Sequence, residues 1–186
     1  MPKLIRFFKP FRVLSQFTDA QGRATLASFI DVPMVYTAGR LDFDSEGLLL
    51  LTDDGALQAR IANPKHKLQK VYAVQVEGSP NPQALDQLVR GVNLRDGRSH
   101  AVSASRIEEP ADLPVRDPPI PPRHRSSSTW IQVVLDTGKN RQVRRMLAAV
   151  GHPVLRLVRT RVGPWKLDGL SPGQWKEETV HLPRSQ

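Results

Sequence analysis

The chain has 186 residues, of which 39% are hydrophobic, contains no cysteine and carries a formal net charge of +9. This length can bury one proper core, and the absence of cysteine excludes disulfides and thiolate metal sites. The first residues lack a signal-peptide pattern, and no apolar run reaches membrane-spanning length. We therefore expect a cytoplasmic protein with no membrane partner.

The elements predicted in chain order are mostly strands with single helices between them. Strands are expected at residues 3–8, 34–37, the leucine run at 48–51, 71–77, 92–94, 103–108, 130–135 and 154–162, with one or two more between 165 and 182. Helices are expected at residues 25–30, from Asp53 or Asp54 to 62, at 82–91, and from Asn140 as N-cap to 150. This order predicts an α+β fold on a mainly antiparallel sheet.

Residues 39–52 join a polar turn to a run of four leucines. The leucine run predicts a strand buried on both faces, which would hold Asp42, Asp44 and Glu46 at its mouth. The acidic residues also match the pattern of a calcium-binding loop. However, leucines occupy positions seven to ten of that pattern, and both flanking segments are predicted to be strands. A metal site is not expected, since the five histidines show no ligand spacing. A solvated acidic turn is the alternative.

Residues 109–128 hold six prolines and show almost no periodicity. We interpret this segment, which also carries Arg116, Arg123, His124 and Arg125, as a long Pro/Arg-rich excursion from the sheet. It would be mobile until it meets a partner. A tolerated disordered insertion is the alternative.

The positive charge is concentrated in the last third of the chain. Residues 1–120 hold 15 Lys and Arg against 14 Asp and Glu, whereas residues 121–186 hold 12 against 4. Seven basic residues and no acidic residue lie between Lys139 and Arg161. A basic region so localised favours a polyanion, with nucleic acid as the first candidate. A basic face that only confers solubility is the alternative.

Two further groups of residues could assist a reaction in which a carboxylate is the reacting group. In the predicted helix at 140–150, Arg144 lies at the border of the apolar face and could keep a buried carboxylate charged, while Arg141 and Arg145 share the outer face and could contact phosphates. In the strand at 71–77, Tyr72 could stack on a base, with Lys70 on the same face for a phosphate. Solvated arginines and a core tyrosine are the alternatives.

Together these segments resemble a known family. Residues 39–52, Lys70-Val71-Tyr72 and residues 140–146 resemble the three signature motifs of the pseudouridine synthases, in the branch that acts on ribosomal RNA. Residues 8–10, 16–19 and the Pro/Arg-rich excursion resemble members that modify the large subunit. The resemblance implies a bent central sheet flanked by helices, in two lobes with the active-site cleft between them. It also implies one catalytic domain over residues 1–186, with no N-terminal S4-type RNA-binding module, and we expect a monomer.

The resemblance also assigns roles. Asp42 stands at the essential aspartate, Tyr72 at the tyrosine that stacks on the target uracil, and Arg144 at the arginine that pairs with the aspartate. Arg40 would help to hold the flipped nucleotide. We expect further RNA contacts from Lys70, Lys139, Arg141, Arg145 and Arg159. The implied reaction isomerises a uridine of 23S ribosomal RNA to pseudouridine without a cofactor, and leaves open whether the aspartate is nucleophile or base. The alternative is a non-catalytic rRNA-binding ribosome-assembly factor.

Overall fold

The computed structural model describes residues 2–180. The strands are β1 (Lys3–Lys9), β2 (Tyr36–Thr37), β3 (Glu46–Thr52), β4 (Lys70–Glu77), β5 (Val92–Leu94), β6 (Gly97–Ser99), β7 (Ser103–Arg106), β8 (Ser128–Leu135), β9 (Val154–Val162), β10 (Trp165–Lys166) and β11 (Trp175–Thr179). The helices are α1 (Gly55–Ala62), α2 (Pro82–Arg90), α3 (Pro122–Arg125) and α4 (Gln142–Ala149), with 3₁₀ turns at Leu26–Ser28 and Pro64–His66.

Unit 1, one of two compact units, comprises Met1–Leu68 and Pro164–Gln186. Its β1 pairs antiparallel with both β3 and β11, and β2 pairs antiparallel with β3. All seven residues of β3 are buried, as the leucine run predicts. Register places Phe7 opposite Leu49, and both side chains belong to the core of this unit. Apolar burial on both faces therefore fixes the strand that follows the polar turn.

Helix α1 follows β3 and begins as its sequence predicts. The Asp54 side chain accepts a hydrogen bond of 2.7 Å from the backbone N–H of Leu57, which is the N-cap arrangement. Leu57 and Ile61, four residues apart, form the buried side of the helix. Asn63 ends the helix, ahead of Pro64.

Unit 2 comprises Gln69–Gly163. Its strands run in the order β9-β4-β8-β7, and every pair in this series is antiparallel. Alternate residues of β4, namely Tyr72, Val74 and Val76, share a core with side chains of α2 and α4. The predicted α+β fold on a mainly antiparallel sheet is confirmed.

Several boundaries differ from the predictions. The strand expected at 34–37 is only Tyr36–Thr37, and the helix expected at 25–30 is a single 3₁₀ turn capped by the Thr25 hydroxyl. The β5–β6 hairpin includes Gly97–Ser99, which the sequence did not indicate. The last predicted strand segment, up to residue 182, extends outside the described residues.

The excursion leaves the sheet after β7 and returns at β8, and it is irregular apart from the single turn α3. It follows a defined course in the structure. Ile120 is buried, and the Arg116 guanidinium donates to the backbone carbonyls of Pro118 at 2.9 Å and Leu155 at 3.3 Å. These contacts tie the middle of the excursion to the strand β9 of unit 2.

Candidate active site

Asp42 opens a tight turn directly ahead of β3. The backbone N–H of Ser45 donates to the Asp42 carbonyl at 3.0 Å, which closes the turn. Gly47 has a φ of 105° and lies opposite Lys9 of β1. Only glycine adopts this conformation without strain, so the glycine of the motif sets the path from the turn into the strand. The Asp42 side chain itself is half-buried.

A second loop of unit 1, which follows β1, forms hydrogen bonds with the backbone of this turn. The buried hydroxyl of Ser15 donates to the Leu41 carbonyl at 2.7 Å and accepts from the Leu41 N–H at 3.1 Å. The backbone N–H of Arg12 donates to the Phe43 carbonyl at 2.8 Å. The residues on both sides of Asp42 are therefore fixed through their backbone. Ser15 was missed in the sequence, since a serine in a loop 26 residues away carries no distinguishing signal.

The loop that supplies Ser15 is itself anchored by a buried lysine. The ammonium of Lys9, at the end of β1, donates to the carbonyls of Pro10 at 2.9 Å and Val13 at 2.7 Å. A buried ammonium is costly unless its donors are used, so these bonds specify the loop conformation. Strand β1, which pairs with β3, thus also positions the loop that bonds to the residues on either side of Asp42.

The other polar side chains of the motif have different surroundings. Arg40 is exposed and donates to the Gln16 side chain at 3.3 Å. Glu46 is 3% exposed, within β3, and Asp44 is half-buried. The Arg23 guanidinium lies 5.9 Å from the centre of the Phe43 ring and forms an ion pair with Asp19. That ion pair lowers the pKa of Asp19 to about 2.

Tyr72 lies at an irregularity of the sheet in unit 2. Val71 of β4 pairs with Arg161 of β9, whereas Tyr72 pairs with Arg159, so β9 carries an extra residue here. Such bulges re-aim the side chains beside them. The Tyr72 side chain is 8% exposed and belongs to the core shared with α4.

Lys70 and Arg159 lie next to Tyr72. Lys70 is half-buried, and its pKa is lowered first by burial and then by the charge of Arg159, with Asp136 opposing the shift. Arg159, expected on the RNA-binding surface, is 4% exposed. This burial follows from its position in the long strand β9. The basic residues between Lys139 and Arg161 extend into this strand, where side chains alternate between the two faces of the sheet, so some of them are buried.

Helix α4 begins at Gln142, so the prediction of Asn140 as its N-cap is wrong. Arg141 occupies the cap position with a φ of 48° and makes no side-chain cap bond. The Gln142 side chain bonds instead to the preceding turn, accepting from the Lys139 N–H and the Thr137 hydroxyl at 3.0 Å each. The helix start is therefore fixed by a residue inside the helix that reaches back to the preceding turn.

The arginines of this helix are not equivalent. Val143, Met146 and Leu147 are buried in the core, and Arg144 beside them is half-buried, as its border position predicts. Arg145 donates to both carboxylate oxygens of Asp96, at 2.6 and 3.2 Å, and to the Asn140 carbonyl at 2.9 Å. Arg141 is exposed. Lys139, also exposed, donates from its ammonium to the Arg98 carbonyl at 3.2 Å.

The predicted site residues thus fall into two groups. Unit 1 holds Arg40 and Asp42, and unit 2 holds the other seven. Within unit 2, Tyr72 and the apolar side of α4 share one core, which places the tyrosine and the helix that carries Arg144 in the same packed layer. Among residues 2–180, no group of three or more His, Asp or Glu side chains could hold a metal ion. No helix in that range is both long and apolar enough to cross a bilayer.

Comparison with known proteins gives one consistent family. Residues 7–149 match the family described as RNA pseudouridylate synthase. A Vibrio vulnificus protein named ribosomal large subunit pseudouridine synthase E is 51% identical over 181 residues, covering 97% of this chain and 76% of its own length. A Xanthomonas campestris protein of the same name is 49% identical over 97% of this chain and 98% of its own.

A solved structure agrees with this assignment. A crystal structure described as that of a pseudouridylate synthase superimposes with a TM-score of 0.76 at 28% identity, over 96% of this chain and 71% of that chain. The sequence match, the relatives and the shared fold lead to the same conclusion. The chain belongs to the RNA pseudouridylate synthase family and is an isomerase.

Proposed function

We propose that this enzyme isomerises a uridine of 23S ribosomal RNA to pseudouridine. The observation that carries the proposal is the identity of about one half, over nearly the whole chain, to relatives named ribosomal large subunit pseudouridine synthase E. In the reaction, the bond between N1 of the base and C1′ of the ribose breaks and a bond from C5 to C1′ forms. The hydrogen on C5 leaves to solvent and N1 gains a proton, so no oxidant or cofactor is consumed.

We assign the reacting carboxylate to Asp42. A group that acts on C1′ or on a sugar proton must be held in place while the base leaves and turns. The bonds of Ser15 and Arg12 to the neighbouring backbone, with the buried β3 behind, support this role because they restrict where the carboxylate can move. Asp44 and Glu46 would shape the turn.

We assign the charge partner of Asp42 to Arg144 and the base-stacking surface to Tyr72. Arg144 fits because the buried Val143 and Met146 on the same helix restrict its position. A carboxylate that works in a partly dry site needs such a cation to remain ionised. The target base must leave its stack to reach Asp42, and stacking on Tyr72 would offset part of that cost.

The test is tritium release from a 23S transcript that carries 5-tritiated uridine. Wild type and an Asp31→Asn control, which changes an exposed carboxylate of the same unit, should release the label. Asp42→Asn should release none above background while still binding the transcript. The enzymatic assignment to 23S RNA is lost if wild type releases nothing, and the assignment to Asp42 is lost if Asp42→Asn releases as much as the control.

Tight binding of the transcript by wild type without any release of tritium would mean that this RNA is bound but is not the RNA that the enzyme converts.

A further inference from the structure

Unit 2 contains a cavity outside the predicted site residues. It has a volume of about 610 Å³ and lies between the sheet and the excursion. Gln75, Trp130 and Arg156, from three adjacent strands, contribute to its sheet side. In β4, Gln75 alternates with Val74 and Val76, which belong to the core shared with α2 and α4. The cavity therefore lies on the other face of the sheet from that core.

The wall opposite the sheet is supplied by the excursion, and hydrogen bonds connect the wall to the sheet. Gln75 of β4 donates from its side chain to the Ser128 hydroxyl at 2.8 Å, and that hydroxyl donates to the Arg125 carbonyl at 2.8 Å. His124, next in α3, lies 3.2 Å from the Glu77 carboxylate through its Nδ1. Together with the Arg116 bonds to Leu155 and Pro118, these contacts hold the excursion against the sheet of unit 2.

The charge of the lining is mainly positive. Three arginines, Arg116, Arg125 and Arg156, line the cavity against one carboxylate, that of Glu109. Arg125 is exposed and extends from a helix of only one turn at the rim. A concave site of this size with a mainly positive lining and an exposed arginine suits a ligand that carries a phosphate.

The apolar part of the lining suits a planar group. Trp130 is 7% exposed, and Ile120, Val115 and Pro122 add apolar surface. The indole N–H of Trp130 is buried without a hydrogen-bond acceptor among residues 2–180. Buried donors of this kind are rarely left unsatisfied. The indole nitrogen is covered in this structure. A hydrogen-bond acceptor on a ligand would therefore reach it only after the Trp130 side chain or the excursion shifts.

We propose that this cavity binds a nucleotide of the RNA substrate other than the target uridine. Its phosphate would contact Arg125 at the rim, and its base would lie against the apolar lining next to Trp130. This inference rests on the proposed function, because the RNA is the substrate assigned there. It gives the Pro/Arg-rich excursion a role in selecting the RNA rather than in the chemistry.

The first test compares two arginines of one helix turn. Arg125 lines the cavity and Arg123 does not, while both are exposed and carry the same charge. Arg125→Ala should weaken binding of the 23S transcript about tenfold and lower the salt slope by about one. Arg123→Ala should have less than a third of that effect. Single-turnover tritium release at saturating RNA should equal wild type for both.

The second test fills the cavity without changing charge. Ser126 is exposed at the lining, so Ser126→Phe is compatible with folding and should weaken RNA binding while leaving the salt slope unchanged. A Ser127→Phe control places the same bulk on a neighbouring exposed residue outside the lining and should bind like wild type.

Equal effects of Arg123→Ala and Arg125→Ala, with Ser126→Phe binding like wild type, would overturn the proposal in favour of a diffuse basic surface. Wild-type binding by Arg125→Ala and Ser126→Phe would overturn it in favour of another occupant, such as an acidic protein segment. Both results require a wild-type enzyme that binds and converts the transcript. Failure of that wild-type reaction would instead overturn the proposed function.

Discussion

The hydroxyl of Ser15 satisfies both backbone groups of Leu41, donating to its carbonyl at 2.7 Å and accepting from its N–H at 3.1 Å. The pair joins two loops of unit 1 that are 26 residues apart, and both residues are buried. Leu41 immediately precedes Asp42, so the position of the proposed catalytic carboxylate depends on a residue outside the signature motif.

Replacing Ser15 by alanine should therefore affect stability and catalysis together. Ser15→Ala leaves the buried N–H and C=O of Leu41 without their partner, which should cost about 1–3 kcal/mol of unfolding free energy. It should lower kcat more than it raises KM, because Asp42 loses its placement while the RNA contacts are unchanged. Denaturant unfolding and tritium release measure the two effects.

Ser28→Ala is the matched control, since Ser28 is exposed in the same unit. A Ser15→Ala enzyme with lower stability but wild-type kcat at a temperature where it is folded would show that Ser15 does not position Asp42.

The Arg145–Asp96 ion pair predicts how the basic helix meets RNA. Because both carboxylate oxygens hold Arg145, Arg145→Ala should lower the salt slope of RNA binding by less than the value of about one that a full phosphate contact contributes. Asp96→Asn should release Arg145 and raise both the affinity and the slope. Titration of RNA binding at several salt concentrations measures these slopes. An unchanged slope in Asp96→Asn would mean that Arg145 has no part in binding.

The same pair has a defined pH dependence. Hydrogen bonds from Arg145 hold the pKa of Asp96 below its usual value in the folded protein. The unfolded chain therefore binds the proton more readily, and the stabilising contribution is complete above the ordinary Asp pKa. It is lost as the pH falls through the lowered value. The unfolding free energies of wild type and Asp96→Asn should consequently converge in acid, as measured by urea titrations from neutral pH downward.

Lys70 should show a conflict between stability and binding. Burial and the charge of Arg159 lower its pKa, so the folded protein disfavours the protonated form relative to the unfolded chain. Lys70→Met, which keeps the length and removes the charge, should raise the unfolding free energy at pH 7 and weaken RNA binding. The stability difference should shrink as the pH rises through the lowered pKa towards that of a free lysine.

Lys65→Met provides the control for Lys70, because Lys65 is exposed. A Lys70→Met protein that is less stable than wild type at pH 7 would show that the ammonium stabilises the fold, contrary to the direction of its pKa shift.

Tyr72 requires a conservative substitution, because its ring is part of the core. Tyr72→Ala should remove the proposed base stacking and also leave a core cavity, at a cost to stability of about 3–5 kcal/mol, as for other large aromatic truncations. Tyr72→Phe keeps the ring and should bind the 23S transcript within about threefold of wild type, since stacking needs only the ring face. Filter binding measures the affinity, and unfolding curves check that Tyr72→Phe is folded.

The sequence predicts those elements whose stabilising interactions come from residues close to one another in the chain. Strand β3 and helix α1 follow from adjacent signals, namely the leucine run and the Asp54 cap two residues after the end of the strand. The start of α4 does not, because asparagine is the better cap by preference, yet Arg141 occupies the cap position and the Gln142 side chain bonds to the preceding turn. A hydrogen bond from a helix side chain to the preceding turn leaves no recognisable pattern in a single sequence.

The candidate site shows the same division. The family motifs and the helical spacing indicate Asp42 and the border position of Arg144, but the brace from Ser15 arises only when two distant loops meet. The basic run from 139 to 161 reads as one surface, yet it continues from an exposed turn into a strand, where Arg156 and Arg159 are buried. Charge counts along a chain do not distinguish these surroundings, because alternation in a strand sends neighbours to opposite faces.

The complete burial of β3 bears on how long the active site keeps its shape. Backbone amides in a fully buried strand exchange with solvent only when the surrounding unit opens, so β3 should be among the slowest-exchanging segments of unit 1. Asp42 lies four residues before this strand. The proposed reacting carboxylate is thus attached to a segment of unit 1 that we expect to open late, so heat or denaturant that loosens outer loops first should leave the strand behind the Asp42 turn intact.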